Sequence, residues 1–342
     1  MDTSFTPDLF LEGLYGKLYS DPYKNVTTAH EARAVAEAIR LRLKALFNID
    51  DIPGIHTPEV TYMQRDCDRG FFLQSKLSVS IADNLNMLCY LLEPKAKTAS
   101  GVVALCGHGY GARQIINQGK NGKPRLIPFL DDYQKSFALK LVRNGNTVIV
   151  PELIGFGEAR EKKDLRKPFY ASSCEAVSSK LLMYGYTTAS LRIYQAMCCV
   201  DILLSLENIS ADKIGCMGIS GGGLTALYTG VLDERIGKIV ISGYVNSFKT
   251  SVLNVWHCPD NFFPGVLRIG EIYDFACTLA PRRLLCECGE RDKIFPSAGS
   301  HLAVERISRI YSLFGAQSCF EVDFFDGKHR ISGTKSFTFF GE

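Results

Sequence analysis

Three residues of this chain, Ser220, Asp292 and His329, have the types and the order that nucleophilic acyl chemistry requires. Ser220 stands in Lys213-Ile214-Gly215-Cys216-Met217-Gly218-Ile219-Ser220-Gly221-Gly222-Gly223-Leu224, where an apolar strand runs into a serine wrapped in glycines and then into a helix. A serine at such an elbow is held in a strained backbone conformation with almost no room beside it. Gly218 and Gly222 leave space where any side chain would collide. The helix expected over 222–232 turns its N-terminal N–H groups and positive dipole end toward the same point, which suits a developing oxyanion. Ser220 is therefore the candidate nucleophile.

A serine hydroxyl reacts poorly at neutral pH unless a base takes its proton, and the base needs an acidic partner to fix its tautomer and stabilise its charged form. The chain offers both downstream, in the order Ser, Asp, His that accompanies a G-x-S-x-G elbow. Asp292 lies in the loop Glu290-Arg291-Asp292-Lys293-Ile294-Phe295-Pro296 after the apolar strand 284–289, with Glu290 as its local rival. His329 lies in the turn Asp326-Gly327-Lys328-His329-Arg330 after the strand 319–325. Of the 6 histidines it alone follows the last strand, for His301 falls in a helix and His108 precedes the serine.

The elements that position these residues alternate. Unbroken apolar runs at 101–106, 147–150, 213–219, 238–244 and 284–289 read as strands buried on both faces. Helical patterns separate them, including 130–144, 190–206, 222–232 and 301–314, and the alternation predicts a parallel sheet with right-handed crossovers. The first strand delivers Gly107-His108-Gly109-Tyr110-Gly111, a glycine-rich turn upstream of the serine. Ahead of it, strand-like segments at 60–64, 71–80 and 85–92 with polar turns predict an antiparallel meander. Residues 5–52 read as largely helical. Thr28-Ala29-His30-Glu31 offers a capping start, and Val35, Ala38, Ile39, Leu43, Leu46 and Phe47 form an apolar face. That face is expected to pack on the main domain or on another subunit. The organisation expected is an N-terminal helical extension over 1–55 and one α/β domain over 56–342. Cap or insert segments lie near 158–187 and 246–274; the latter carries Trp256 and His257, the candidate substrate contacts, as a wall of the pocket.

Composition narrows the partners. Lys+Arg 39 against Asp+Glu 36 gives a net charge of only +3, and no basic run interleaves with aromatics, so nucleic acid is not a favoured partner. No apolar segment reaches about 18 residues, and the polar start Met1-Asp2-Thr3-Ser4 lacks the regions of a signal peptide, so a cytoplasmic protein without a membrane span is expected. The 12 cysteines mostly sit inside apolar elements (Cys89, Cys106, Cys198, Cys199, Cys216, Cys286, Cys319), as small buried hydrophobes in a reducing compartment would. Cys286-Glu287-Cys288 lacks a matching His/Cys pair, and no metal site is expected.

Over roughly 101–330 these motifs resemble the α/β-hydrolase superfamily, and within it the acetylxylan-esterase-like and dienelactone-hydrolase-like serine hydrolases. The resemblance rests on Gly107-His108-Gly109-Tyr110, Gly155-Phe156-Gly157-Glu158, Gly218-Ile219-Ser220-Gly221-Gly222-Gly223, Leu232-Asp233-Glu234-Arg235, Ala280-Pro281-Arg282 and Asp292-Lys293-Ile294-Phe295-Pro296. It implies the triad roles for Ser220, Asp292 and His329, and an oxyanion hole formed by the N–H groups of Tyr110 and Gly221. Many acetylxylan esterases of this type carry Gln directly after the serine, where this chain has Gly221, and dienelactone hydrolases proper use a cysteine nucleophile. The expected activity is cleavage of a small-molecule carboxylic ester without a cofactor. Amide or thioester cleavage, acyl transfer and a non-catalytic binding role on the same fold are the alternatives, and a homo-oligomer through the N-terminal helices is the expected assembly.

Overall fold

The computed structural model describes residues 5–96, 99–119, 121–125, 132–168 and 170–341. Its strands are β1 (Ile55–Asp68), β2 (Phe72–Ala82), β3 (Leu85–Pro94), β4 (Gly101–Leu105), β5 (Thr147–Pro151), β6 (Ile214–Ile219), β7 (Lys238–Ser242), β8 (Arg283–Gly289) and β9 (Phe320–Phe325). They form one sheet in the order β1-β2-β3-β5-β4-β6-β7-β8-β9. β1 to β3 pair antiparallel as the meander, and β3 joins β5 antiparallel; from β5 across to β9 every pairing is parallel. Every residue of β4, β5 and β6 is buried, which accounts for the unbroken apolar runs in their sequences. β9 is half-buried along its whole length, as an edge strand is.

The sheet order sets the position of the site. β5 and β6 flank β4 on opposite sides, so the chain leaves β4 for one neighbour and returns to the other. The connections at the C-terminal ends of β4 and β6 part there and open a crevice, the place where open α/β sheets bind ligands.

The helices are α1 (Asp8–Leu18), α2 (Ala29–Phe47), α3 (Ala112–Ile115), α4 (Phe137–Arg143), α5 (Cys174–Met183), α6 (Thr188–Leu204), α7 (Gly221–Leu232), α8 (Ile272–Cys277) and α9 (Ser297–Leu313). α7 packs between α6 and α8, and α9 on α8. The N-terminus of α2 carries the expected capping box: the Glu31 N–H donates to Thr28 Oγ1 at 3.2 Å, and the Thr28 N–H donates to Glu31 Oε2 at 3.1 Å. The apolar stripe of α2 is Ala32, Ala36, Ile39, Leu43 and Phe47, and Ala38 turns out to be exposed, because the stripe follows i, i+4, i+7 from residue 32. This face is covered within the chain by α7, α8 and α9. Phe47 meets Tyr228 and Phe263 edge-on at 5.0 and 5.3 Å between centroids, and burial of such a ring contributes about 1.5–3 kcal/mol.

The helix expected over 130–144 is shorter. Residues 130 and 131 lie outside the described residues, and α4 starts only at Phe137. Lys135 and Ser136 adopt left-handed φ of 50° and 49°. This break lets Gln134 bond the turn beyond β4 and places Tyr133 beside His329, contacts that a continuous helix would not make.

Candidate active site

The turn after β6 is built as its glycines foretell. Ser220 has φ 57° and ψ −122°, a left-handed conformation that costs on the order of 1–3 kcal/mol in a non-glycine residue and persists only where the surroundings enforce it. A Cβ on Gly218 would stand 2.1 Å from the carbonyl oxygen of Gly222, and one on Gly222 2.1 Å from that of Leu105. The turn therefore closes against its own helix and against β4. α7 begins at once, at Gly221, with its N-terminus at the serine.

Asp292 and His329 meet, although 37 residues separate them. The loop after β8 folds back so that Asp292 Oδ1 accepts the N–H groups of Ile294 (2.8 Å) and Phe295 (3.0 Å), and its other oxygen, Oδ2, lies 2.7 Å from His329 Nδ1. The carboxylate is buried, and Glu290, the local rival, instead pairs with His301 at 3.1 Å on the surface. The imidazole of His329 is stacked between Tyr133 and Phe295, each with its centroid 5.7 Å away. Tyr133 is itself tied down, its hydroxyl donating to the His108 carbonyl at 2.6 Å. His329 Nε2 is buried without a hydrogen-bond partner among the described residues. Ser220 and His329 line the same cavity, about 630 Å³ in volume, together with His108, Tyr133, Trp256 and His257. A ring nitrogen free to accept, next to a serine in one pocket, is the arrangement general-base chemistry needs. Such bonds are commonly long before substrate binds.

The turn after β4 is held by side chains. The Gly107 N–H donates to Gln134 Oε1 (2.9 Å), Gln134 Nε2 donates to Gln114 Oε1 (2.9 Å), and the Tyr110 N–H donates to that same oxygen at 3.2 Å. Tyr110, expected as an oxyanion donor, thus has its N–H engaged within the chain. His108 packs over Gly221: a Cβ there would lie 3.2 Å from His108 Nδ1, so the place of a side chain after the serine is taken by this imidazole. Of the two expected substrate contacts, Trp256 stands 83% exposed at the rim. His257 is buried in the wall, bonded through Nε2 to Ser251 Oγ at 3.0 Å, and burial lowers its pKa.

Glu152, at the end of β5, fixes the far side of this turn by accepting the Ala112 N–H at 2.9 Å. Burial pushes its carboxyl up to about 7. A carboxyl that holds its proton more tightly folded than unfolded stabilises the protein below its unfolded value of about 4.5, and that contribution is lost as pH rises toward 7. Asp274, also pushed up to about 7 by burial, acts in the same sense. The Glu152→Gln protein should accordingly lose less unfolding free energy between pH 5 and pH 8 than its parent in urea titrations; an equal or steeper loss would remove Glu152 from this account.

Sequence reasoning missed a buried cluster beneath the pocket. Arg192 of α6, only 1% exposed at its side chain, donates to Asp260 Oδ2, to Cys174 Sγ (2.7 Å) and to the Ile154 carbonyl (2.9 Å), and its guanidinium lies over the Phe156 ring. His108 Nε2 stands 3.2 Å from the same Asp260 oxygen. Burial opposes the imidazolium, but Asp260 and Cys174 outweigh it and push His108 up to about 10. One signal was legible: an arginine inside the apolar helix Thr188–Leu204 requires a buried anion. His108, Cys174, Cys258 and Asp260 place potential metal-ligating atoms within 4.8 Å of one another, but Arg192 bonds two of the four and supplies the positive charge a cation would bring. The cluster reads as a paired-charge network.

The fold has solved counterparts. A Bacteroides fragilis protein named as an acetyl xylan esterase superposes with a TM-score of 0.79 at 14% identity, covering 94% of this chain and 82% of the other. A glucuronoyl esterase from Teredinibacter turnerae superposes with a TM-score of 0.64 at 16% identity, over 95% of this chain and 89% of that one. The chain has the α/β-hydrolase fold. In sequence, this chain is 27% identical over 239 residues to YtaP of Bacillus subtilis (strain 168), a protein named as a hydrolase, covering 68% of this chain and 74% of that protein. No family model matches it. Among the described residues no helix is long and apolar enough to cross a membrane.

Proposed function

We propose that this protein is a serine esterase that cleaves a carboxylic ester through an acyl-enzyme. The observation that carries the reading is the buried 2.7 Å pairing of Asp292 with His329 in the pocket that holds Ser220 on its strained elbow. Ser220 Oγ attacks the acyl carbon while His329 Nε2 takes its proton. Asp292 Oδ2 accepts the Nδ1–H, which leaves Nε2 as the acceptor and stabilises the imidazolium once it forms. The tetrahedral oxyanion lies at the start of α7, where the Gly221 N–H and the helix dipole favour negative charge. The Tyr110 N–H is the second donor. Its present acceptor, the neutral Gln114 oxygen at 3.2 Å, is weaker than an oxyanion, so the bond exchanges as charge develops. His329 then returns its proton to the leaving alcohol, and water repeats the sequence on the acyl-enzyme.

The exposed Trp256 ring at the pocket rim and the carbohydrate esterases among the structural relatives favour a sugar as one part of the ester. A fluorophosphonate probe tests the reading directly. The protein should become labelled on Ser220 as identified by peptide mass spectrometry, with matching loss of activity toward a small activated ester. Absence of labelling under conditions that label a known serine esterase would sink it.

A further inference from the structure

We propose that Cys174 and Cys258 form a reactive dithiol beneath the active-site pocket, a modification site at which a hydroperoxide converts the two thiols to a disulfide. Cys174 is the first residue of α5, and Cys258 precedes the short turn Pro259–Asn261 in the 246–274 segment, so the bond would join the two insert segments that wall the pocket. Their sulfurs are within 4.8 Å of each other, and a disulfide requires them to close to about 2.05 Å.

The surroundings divide the pair into an attacking and a resolving sulfur. Cys174 sits at a helix N-terminus, and its sulfur accepts from Arg192 Nη2 at 2.7 Å. Burial works against its ionisation. The Cys174 S–H is placed to donate to Asp260 Oδ2 at 3.4 Å; the neighbouring Cys258, the charge of Arg192 and the nearby His108 nonetheless outweigh burial and the Asp260 charge and lower the thiol's pKa. Cys258 is held as the thiol, first by its bond to Cys174 and then by burial and the Asp260 charge. It also lines the pocket, as do Ser172 and Glu175, the near sequence neighbours of the buried Cys174, so an oxidant in the pocket approaches the pair from the Cys258 side.

A second close pair supplies the contrast. Cys89 and Cys199 stand 4.0 Å apart, but both lie in the apolar core, and burial pushes the Cys199 thiol well up. Proximity is present there, and among the described residues the arginine contact that Cys174 makes is not.

The reaction balances with hydrogen peroxide as oxidant. The Cys174 thiolate attacks one peroxide oxygen, the O–O bond breaks and hydroxide leaves, giving a sulfenic acid. The Cys258 sulfur then attacks the Cys174 sulfur and gives up its proton; the S–O bond breaks and water leaves. The pair loses two electrons and the peroxide gains them. Oxidation ties the sulfur that Arg192 bonds into a disulfide and disturbs His108 over Gly221, so it should slow ester cleavage; this last consequence rests on the esterase reading.

The test treats the purified full-length protein with hydrogen peroxide, blocks remaining thiols by alkylation and maps peptides by mass spectrometry. A Cys174–Cys258 cross-link is expected, reversible by dithiothreitol, blocked by Cys174→Ser and by Cys258→Ser, and unaffected by Cys89→Ser. Hydrolysis of an activated ester should fall severalfold on oxidation and recover on reduction. Absence of the cross-link, or a Cys89–Cys199 bond forming in preference to it, would overturn the proposal. Because the cross-link is read without substrate, a protein inert toward esters would refute the esterase reading and leave the dithiol standing.

Discussion

Replacing Ser220 with alanine should reduce hydrolysis of an activated ester by at least about 10⁴-fold, because in the proposed mechanism Ser220 is the nucleophile, and its loss removes the covalent route and leaves only binding and oxyanion stabilisation. The structure makes this a clean substitution. Alanine removes one oxygen atom, while the left-handed backbone is enforced from outside: the Ser220 N–H donates to the Ser242 carbonyl at 3.0 Å, and the Ser220 carbonyl accepts from Leu224 at 2.8 Å. The thermal midpoint should therefore stay near that of the parent. Steady-state kinetics beside the thermal midpoint separates loss of chemistry from loss of fold. Residual turnover within tenfold of the parent, in protein free of contaminating esterase, would transfer the nucleophile's role elsewhere.

Asp292→Asn should lower kcat by about 10³–10⁴-fold near neutral pH, for a reason that the local hydrogen bonds decide. Two backbone N–H groups, of Ile294 and Phe295, point at Oδ1. They will hold the asparagine carbonyl oxygen in that position and so turn its NH₂ toward His329 Nδ1. The imidazole is then forced into the tautomer with its proton on Nε2, where it has no lone pair to take the serine proton. Since the loop keeps both backbone bonds, the fold should survive, and KM should move far less than kcat. The measurement is kcat and KM against pH for parent and variant. A loss confined to KM, or a fall of less than about tenfold in kcat, would mean that Asp292 does not orient the base.

How far these features were legible depends on the range over which each is encoded. The strained elbow was readable because its cause is local: Gly218 and Gly222 lack side chains since a neighbouring carbonyl occupies that space, and the three residues lie within one turn. The buried strands β4 to β6 were readable because a strand covered on both faces needs apolar residues at every position. The capping box of α2 spans four residues, and its apolar stripe repeats with the helix turn, so both appear in the sequence, with one alanine misplaced. The order Ser, Asp, His was also in the chain. That Asp292 and His329 stand 2.7 Å apart was not, for it depends on β8 and β9 lying side by side so that the loops after them meet.

The chain by itself determined which residues could carry acyl chemistry, the alternation that builds a parallel sheet, and the helix that covers one side of it. Each follows from short-range sterics or from a period of burial, and both are written along the sequence. Tertiary structure decided the surroundings of the chemistry: the stacking of His329 between Tyr133 and Phe295, the break before α4 that permits it, and the placing of His108 over Gly221. It also decided the pairing of Arg192 with Asp260 across 68 residues and its contact with Cys174, one cysteine among 12. A charge pair of this kind has no period and no motif. Its members are recognisable only when the fold has excluded water from around them, because only then does each charge require the other.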